Sequence, residues 1–188
     1  ALVLTMIVAL ILGMGMTTTA VYITLAVLII PAIIKMGVLP MAAHMFCFYF
    51  GVISNITPPV AVAAFAAAGI ARTNPMKTGL EACKIGCVAF IIPYMFVYGP
   101  EIMLIGKPLS ILQALLTATI GALALGAGVG NFFLTHNHFL ERLALFAAAI
   151  LLIKPGWISD LLGLVLIAAV LFSQYWRLKN AKTSPARI

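Results

Sequence analysis

Two uncharged polar clusters interrupt the apolar stretches of this 188-residue chain. The first is Gly13-Met14-Gly15-Met16-Thr17-Thr18-Thr19, and the second is Ser54-Asn55-Ile56-Thr57-Pro58-Pro59. Their chemistry is that of neutral oxygens and exposed backbone. Pro58 and Pro59 remove two successive amide donors and block the preceding turn, so a helix must break there. A break frees carbonyl oxygens, and the hydroxyls of Ser and Thr add more. Such oxygens can replace the hydration shell of a hard cation. Helix N-termini at the same break present positive dipole ends to an anionic group. Gly, Ser, Thr and Pro also serve close packing and kinks in membrane helices. Two such clusters, one with adjacent prolines, favour a binding site over packing alone.

The elements that must position these clusters are membrane helices. Of the residues, 64% are apolar and only 8% charged, against about half and about a quarter in soluble domains. Mean hydropathy is +1.21. A soluble globule, a disordered chain and a disulfide scaffold are excluded. At about 20 residues per span, the length allows roughly six to eight membrane segments. The net charge of +7 is the positive-inside bias of membrane loops, not a nucleic-acid footprint. Irregular backbone inside a bilayer is tolerated only when buried in protein or lining a watery cavity. Discontinuous helices near mid-membrane therefore point to a transporter site. The opening Ala1-Leu2-Val3 is already apolar, with no basic region before it. This argues against a signal peptide and for the C-terminal piece of a longer protein.

The apolar runs predict an all-α integral membrane fold. Residues 1–34 form two short runs about the first cluster, and residues 35–78 hold a loop and a helix broken at the second. A single spanning helix is expected over 79–99, within a segment 79–108 that includes its outer loop. Segment 109–188 holds further helices over 109–130, 140–153 and 158–176, then a polar tail from Arg177. The 140–153 run is short, and spans if Asn137, His138 and Arg142 snorkel to the interface. With a cytoplasmic tail, Arg72, Lys77, Lys84, Arg142, Arg177, Lys179, Lys182 and Arg187 lie inside; Lys35, Lys107 and Lys154 lie outside. That bias supports this orientation and makes residues 1–34 a re-entrant hairpin entering from outside.

The remaining polar residues carry less. His136 and His138 are two apart and do not share a helix face, so metal binding is not expected there. His44 reads as interfacial or packed. Cys47, Cys83 and Cys87 read as small core residues. Glu81, Glu101, Glu141 and Asp160 lie near helix ends and read as interfacial anchors, as does Arg72 on the cytoplasmic side. Proton coupling through an intramembrane carboxylate thus has little support. Gly126-Ala127-Gly128-Val129-Gly130 contains a Gly-x-x-x-Gly pattern suited to close helix packing. Trp157, Tyr175 and Trp176 fit interface belts, while Tyr94, Tyr98 and the methionines read as packing residues. There is no Gly-x-x-x-x-Gly-Lys-Ser/Thr phosphate loop.

The Gly13–Ala20 cluster, the run to Ile30-Pro31, Asn55-Ile56-Thr57-Pro58-Pro59-Val60-Ala61-Val62 and Ala68-Gly69-Ile70-Ala71 together resemble one family. It is the large membrane subunit of tripartite ATP-independent periplasmic (TRAP) transporters, with the fused-permease branch the nearer likeness. The resemblance covers residues 1–100 with good specificity, and 109–188 resemble the extra C-terminal helices of fused permeases less specifically. It implies an elevator-type ion-transporter fold, in which sodium and a small carboxylate bind between hairpin tip and broken helix. Residues 1–34 and 41–71 then correspond to the second inverted repeat; the first repeat and small-subunit portion would lie upstream. The resemblance implies sodium ligands at the carbonyls of Gly13 and Gly15, at Ser54, at the Thr57 hydroxyl or carbonyl, and at the Val60 carbonyl. Thr17, Thr18, Asn55 and Pro58 are assigned to the substrate. The family often has Gly where Ser54 stands, which suits a backbone role there. An Asp often precedes the paired Thr elsewhere in the family; here that position is Thr17.

The expected function is therefore import of a small organic acid with sodium across the bacterial cytoplasmic membrane. Sodium is the coupling ion, and no cofactor is expected. A periplasmic binding protein, of the TAXI type if the fused-branch likeness holds, would deliver the substrate. An alternative is a membrane-embedded structural or assembly subunit with no site of its own. A membrane enzyme fits poorly, because Ser54, His44 and His136/His138 lie on separate segments with no acid partner at useful spacing.

Overall fold

The computed structural model describes residues 1–153 and 156–183. Lys154 and Arg187, used in the charge count, lie outside the described residues. The fold is all-helical, in two compact units, residues 1–106 and 107–188.

The first unit begins with α1 (Leu2–Gly13) and α2 (Thr18–Leu28), joined by the Gly/Thr tip. Gly15 takes φ +87° in that turn, a conformation that glycine adopts without a Cβ penalty. The expected continuous run to Ile34 is interrupted. Pro31 follows a kink at Ile29, and α3 (Ile30–Lys35) is a separate short helix. Pro40 starts α4 (Pro40–Ile53), whose last turn tightens into a 3₁₀ turn, Ser54–Ile56. The chain then crosses Thr57–Ala61 and resumes as α5 (Val62–Ala71). The core lies around α4: Phe46 and Phe50 are fully buried, with ring centroids 4.9 Å apart, and Tyr94 packs edge-on against Phe46 at 5.2 Å.

The single helix expected over 79–99 is instead two. Helix α6 (Pro75–Ile85) starts earlier, capped by Asn74 Oδ1 accepting from Lys77 N. A 3₁₀ stretch, Gly86–Phe90, separates it from α7 (Ile92–Tyr98). Pro93 accounts for the break, since it lacks the amide that would continue the ladder. The whole stretch Pro75–Tyr98 remains long and apolar enough to cross a membrane. Tyr94 packs as expected, but Tyr98 is exposed.

The second unit packs α8 (Pro108–Gly130) on α9 (Phe139–Ile153) and α9 on α10 (Trp157–Thr183). Helices α8 and α10 also satisfy the length and hydropathy of spans. The tail expected from Arg177 onward is helical to Thr183. The close-packing glycines are not Gly126 and Gly130, which have open space where a Cβ would stand. They are Gly121 and Gly128, seven apart on α8, facing Leu152 and Leu145 of α9, together with Gly163 of α10 facing Leu152.

Glu141 and Asp160, expected as exposed helix-end anchors, are buried within the second unit. They are 8% and 6% exposed. Glu141 occupies the third position of α9 and accepts from His138 N at 2.9 Å, which caps the helix start. It also pairs with Arg177 and accepts from Ser173 Oγ at 2.9 Å. Asn137 and Arg142 both reach back to the end of α8. They donate to the last carbonyls of α8, Ala127 O at 2.8 Å and Gly128 O at 3.1 Å. Ala127 O also accepts from Asn131 N and Phe132 N, so the short α9 is anchored to the C-terminal end of its neighbour.

Candidate functional site

The two interruptions meet in the first unit. Helix α1 ends at Gly13 against the 3₁₀ turn that follows α4. A Cβ at Gly13 would overlap Ser54 Oγ and stand 2.6 Å from Ser54 Cβ. Ser54 is 1% exposed and donates to Gly51 O at 2.6 Å. Gly51 in turn admits Val21 of α2, whose Cγ1 stands 3.2 Å from the position of a Gly51 Cβ. Small residues on α1 and α4 thus bring the hairpin against the break.

The oxygens sort into committed and free. Thr57 O accepts from Ala61 N at 3.2 Å, and Ser54 O from Thr57 N at 3.1 Å. Among the described residues, no backbone amide donates to the carbonyls of Gly13, Gly15 or Val60. The hydroxyls of Ser54 and Thr57 donate to Gly51 O and Ile53 O, the latter at 2.8 Å. A hydroxyl whose proton is committed in this way keeps its lone pairs for a cation. Asn55 turns its amide nitrogen back to Val52 O at 3.1 Å.

Helix N-termini follow both breaks. Thr17 caps α2, its Oγ1 accepting from Ala20 N at 3.4 Å. Helix α5 starts after Ala61, a buried alanine held at φ +35°. Left-handed backbone costs a non-glycine residue about 1–2 kcal/mol. Gly15 and Thr17 are exposed, Thr18 is partly so, and Gly15 has nothing within 4 Å of where its Cβ would stand. So Gly13 and Ser54 touch, Thr57, Pro58 and Val60 lie in the same break, and the outer tip stands clear.

Sequence reasoning missed the support behind the break. Gly79 of α6 leaves room for Pro58 and Phe65, each 3.2 Å from the position of its absent Cβ, and Gly86 does the same for Ile56 at 2.8 Å. Glycines inside an apolar helical run were the available signal. His44 is packed, its Nδ1 2.8 Å from Tyr22 Oη. Among the described residues no group of three metal-ligating side chains forms.

A helical hairpin whose tip abuts a proline-broken helix is the arrangement on which comparison with known families turns. A family model described as the tripartite ATP-independent periplasmic transporter, DctM component, matches residues 1–111. The chain belongs to this family. It is thus part of a TRAP secondary-transporter permease, a membrane protein that works with a periplasmic binding protein. A second model, a domain of unknown function (DUF3394), matches residues 111–163. No curated protein and no solved structure matches the chain. In the TRAP permease, the family match covers both interruptions.

Proposed function

We propose that the chain supplies the second half-site of a sodium-coupled importer of small carboxylates. The observation that carries this reading is the contact of Gly13 with Ser54, beside carbonyls of Gly13, Gly15 and Val60 that no amide of the described residues takes. Neutral oxygens without a carboxylate suit a monovalent hard cation bound by dipoles. Sodium sits among these carbonyls and the hydroxyls of Ser54 and Thr57. The substrate carboxylate lies at the capped N-terminus of α2, near Thr17 and Thr18, and against Asn55 and Pro58.

The first inverted repeat, supplied upstream, completes the site, and an elevator motion carries it across the inner membrane. The positive-inside bias supports a cytoplasmic C-terminus and a hairpin open to the periplasm. The binding protein is of the TAXI type. Uptake of a panel of organic acids tests this, in proteoliposomes holding the full-length permease and its binding protein. Accumulation must require an inward sodium gradient. Uptake that ignores sodium removes the ion site.

A further inference from the structure

The second unit holds a cavity of about 510 Å³ between α8 and α10. Its walls are leucines of both helices with Ile120, and its polar lining is Gln113, Thr117, Asp160 and the Trp157 indole. None of the described lining residues is cationic. Asp160 is 6% exposed. Its Oδ2 accepts from Gln113 Nε2 at 2.8 Å, while its Oδ1 is buried with no hydrogen-bond partner among the described residues. An ionised carboxylate has room for about four hydrogen bonds, and leaving it short in an apolar wall is costly. The site therefore has room for a positively charged donor.

The depth of the groove says what carries that donor. Asp160 lies in the first turn of α10, Gln113 in the second turn of α8, and Trp157 starts α10 at 82% exposure. A tryptophan at a helix start marks the headgroup level. From Leu109 to Ile120 the lining of α8 runs about 16 Å at 1.5 Å per residue, about half the ~30 Å hydrocarbon core. The groove thus begins at headgroup depth and follows one leaflet inward.

We infer that this groove binds a phospholipid with a primary ammonium headgroup, phosphatidylethanolamine, its ammonium on Asp160 and an acyl chain along Leu112, Leu116 and Leu164. The ammonium donates to Oδ1, and the indole N–H of Trp157 meets the lipid's ester or phosphate oxygens. Most of the lining falls within the matched domain of unknown function, which thereby acquires a ligand.

Native mass spectrometry of the full-length permease, delipidated and offered dioleoyl lipids singly, tests this. Phosphatidylethanolamine should be retained at least tenfold more than phosphatidylglycerol. Retention should fall stepwise through the N-monomethyl, N-dimethyl and choline headgroups as ammonium donors are lost. This series is read on the unaltered protein and needs no variant to fold. Asp160→Asn keeps an acceptor for Gln113 but replaces the free acceptor by a donor, and should abolish the preference while the melting temperature shows a folded protein. Equal retention across the headgroups overturns the proposal, as does a preference that survives in Asp160→Asn.

Discussion

Ser54 occupies the space that any side chain at Gly13 would need. This contact joins the hairpin to the broken helix across 41 positions of sequence. Gly13→Ala should therefore push α1 from the break, at about 1–3 kcal/mol for overpacking a tight site. Ser54→Gly makes room for the new methyl. The double variant should recover most of the loss, with a coupling energy above about 1 kcal/mol between contacting sites. Thermal melting of the four members of the cycle measures it. Additive effects would mean that the two residues do not touch.

Thr57 tests the ion site without disturbing the backbone break. Its hydroxyl donates to Ile53 O at 2.8 Å and keeps lone pairs for a cation. Thr57→Ala should raise the sodium concentration for half-maximal uptake about tenfold, the equivalent of ~1.4 kcal/mol. Thr57→Ser retains the oxygen and should stay close to the parent. Equal sodium dependence in parent and Thr57→Ala would place the ion elsewhere.

The breaks were legible because proline and glycine act locally. Pro58-Pro59 ends α4 whatever surrounds it, and Gly15 marks the tip by the φ it permits. What the sequence concealed depends on partners distant along the chain. Glu141 looked like a helix-end anchor. Its burial depends on Arg177, Ser173 and Gln174, more than 30 residues away on α10. Gly126 and Gly130 offered the expected spacing for helix packing. The face that packs holds Gly121 and Gly128, because Leu152 and Leu145 of α9 set the rotation of α8. At the site, the free carbonyls followed from the breaks, but the Gly13–Ser54 contact required the fold. Gly79 and Gly86 matter because Pro58 and Ile56 pack where their side chains would stand, a contact that only the fold reveals.

Ala61 stores backbone strain at the point where α5 departs. It holds φ +35° and ψ +53° with its side chain buried. Ala61→Gly removes the steric penalty of about 1–2 kcal/mol but frees the unfolded chain by about half of that. The expected outcome is a melting temperature unchanged or slightly raised. Ala61→Val adds β-branching to the same conformation and should destabilise by about 2 kcal/mol. Thermal melting in one detergent compares the three. Equal melting of the Gly and Val variants would show that the left-handed geometry is not what the protein adopts.

The Glu141 carboxylate ties three parts of the second unit together, so its neutral variants should separate charge from hydrogen bonding. It accepts from His138 N, Ser173 Oγ and Gln174 Nε2, and pairs with Arg177. Gln174 is fully buried and also holds Asn137 Oδ1 at 2.6 Å and Leu134 N at 2.9 Å. Glu141→Gln keeps one acceptor and loses the ion pair. Arg177 is about a third exposed, so water takes up part of its charge and the loss should be about 1 kcal/mol. Glu141→Ala leaves buried donors without partners and should cost about 2–4 kcal/mol. Melting of both variants beside the parent orders the terms. Should Gln prove as damaging as Ala, the ion pair, not the hydrogen-bond network, would hold α9 to α10. Because Glu141 lies in the unit without the broken helix, folded Glu141→Gln should retain the parent's sodium dependence of uptake.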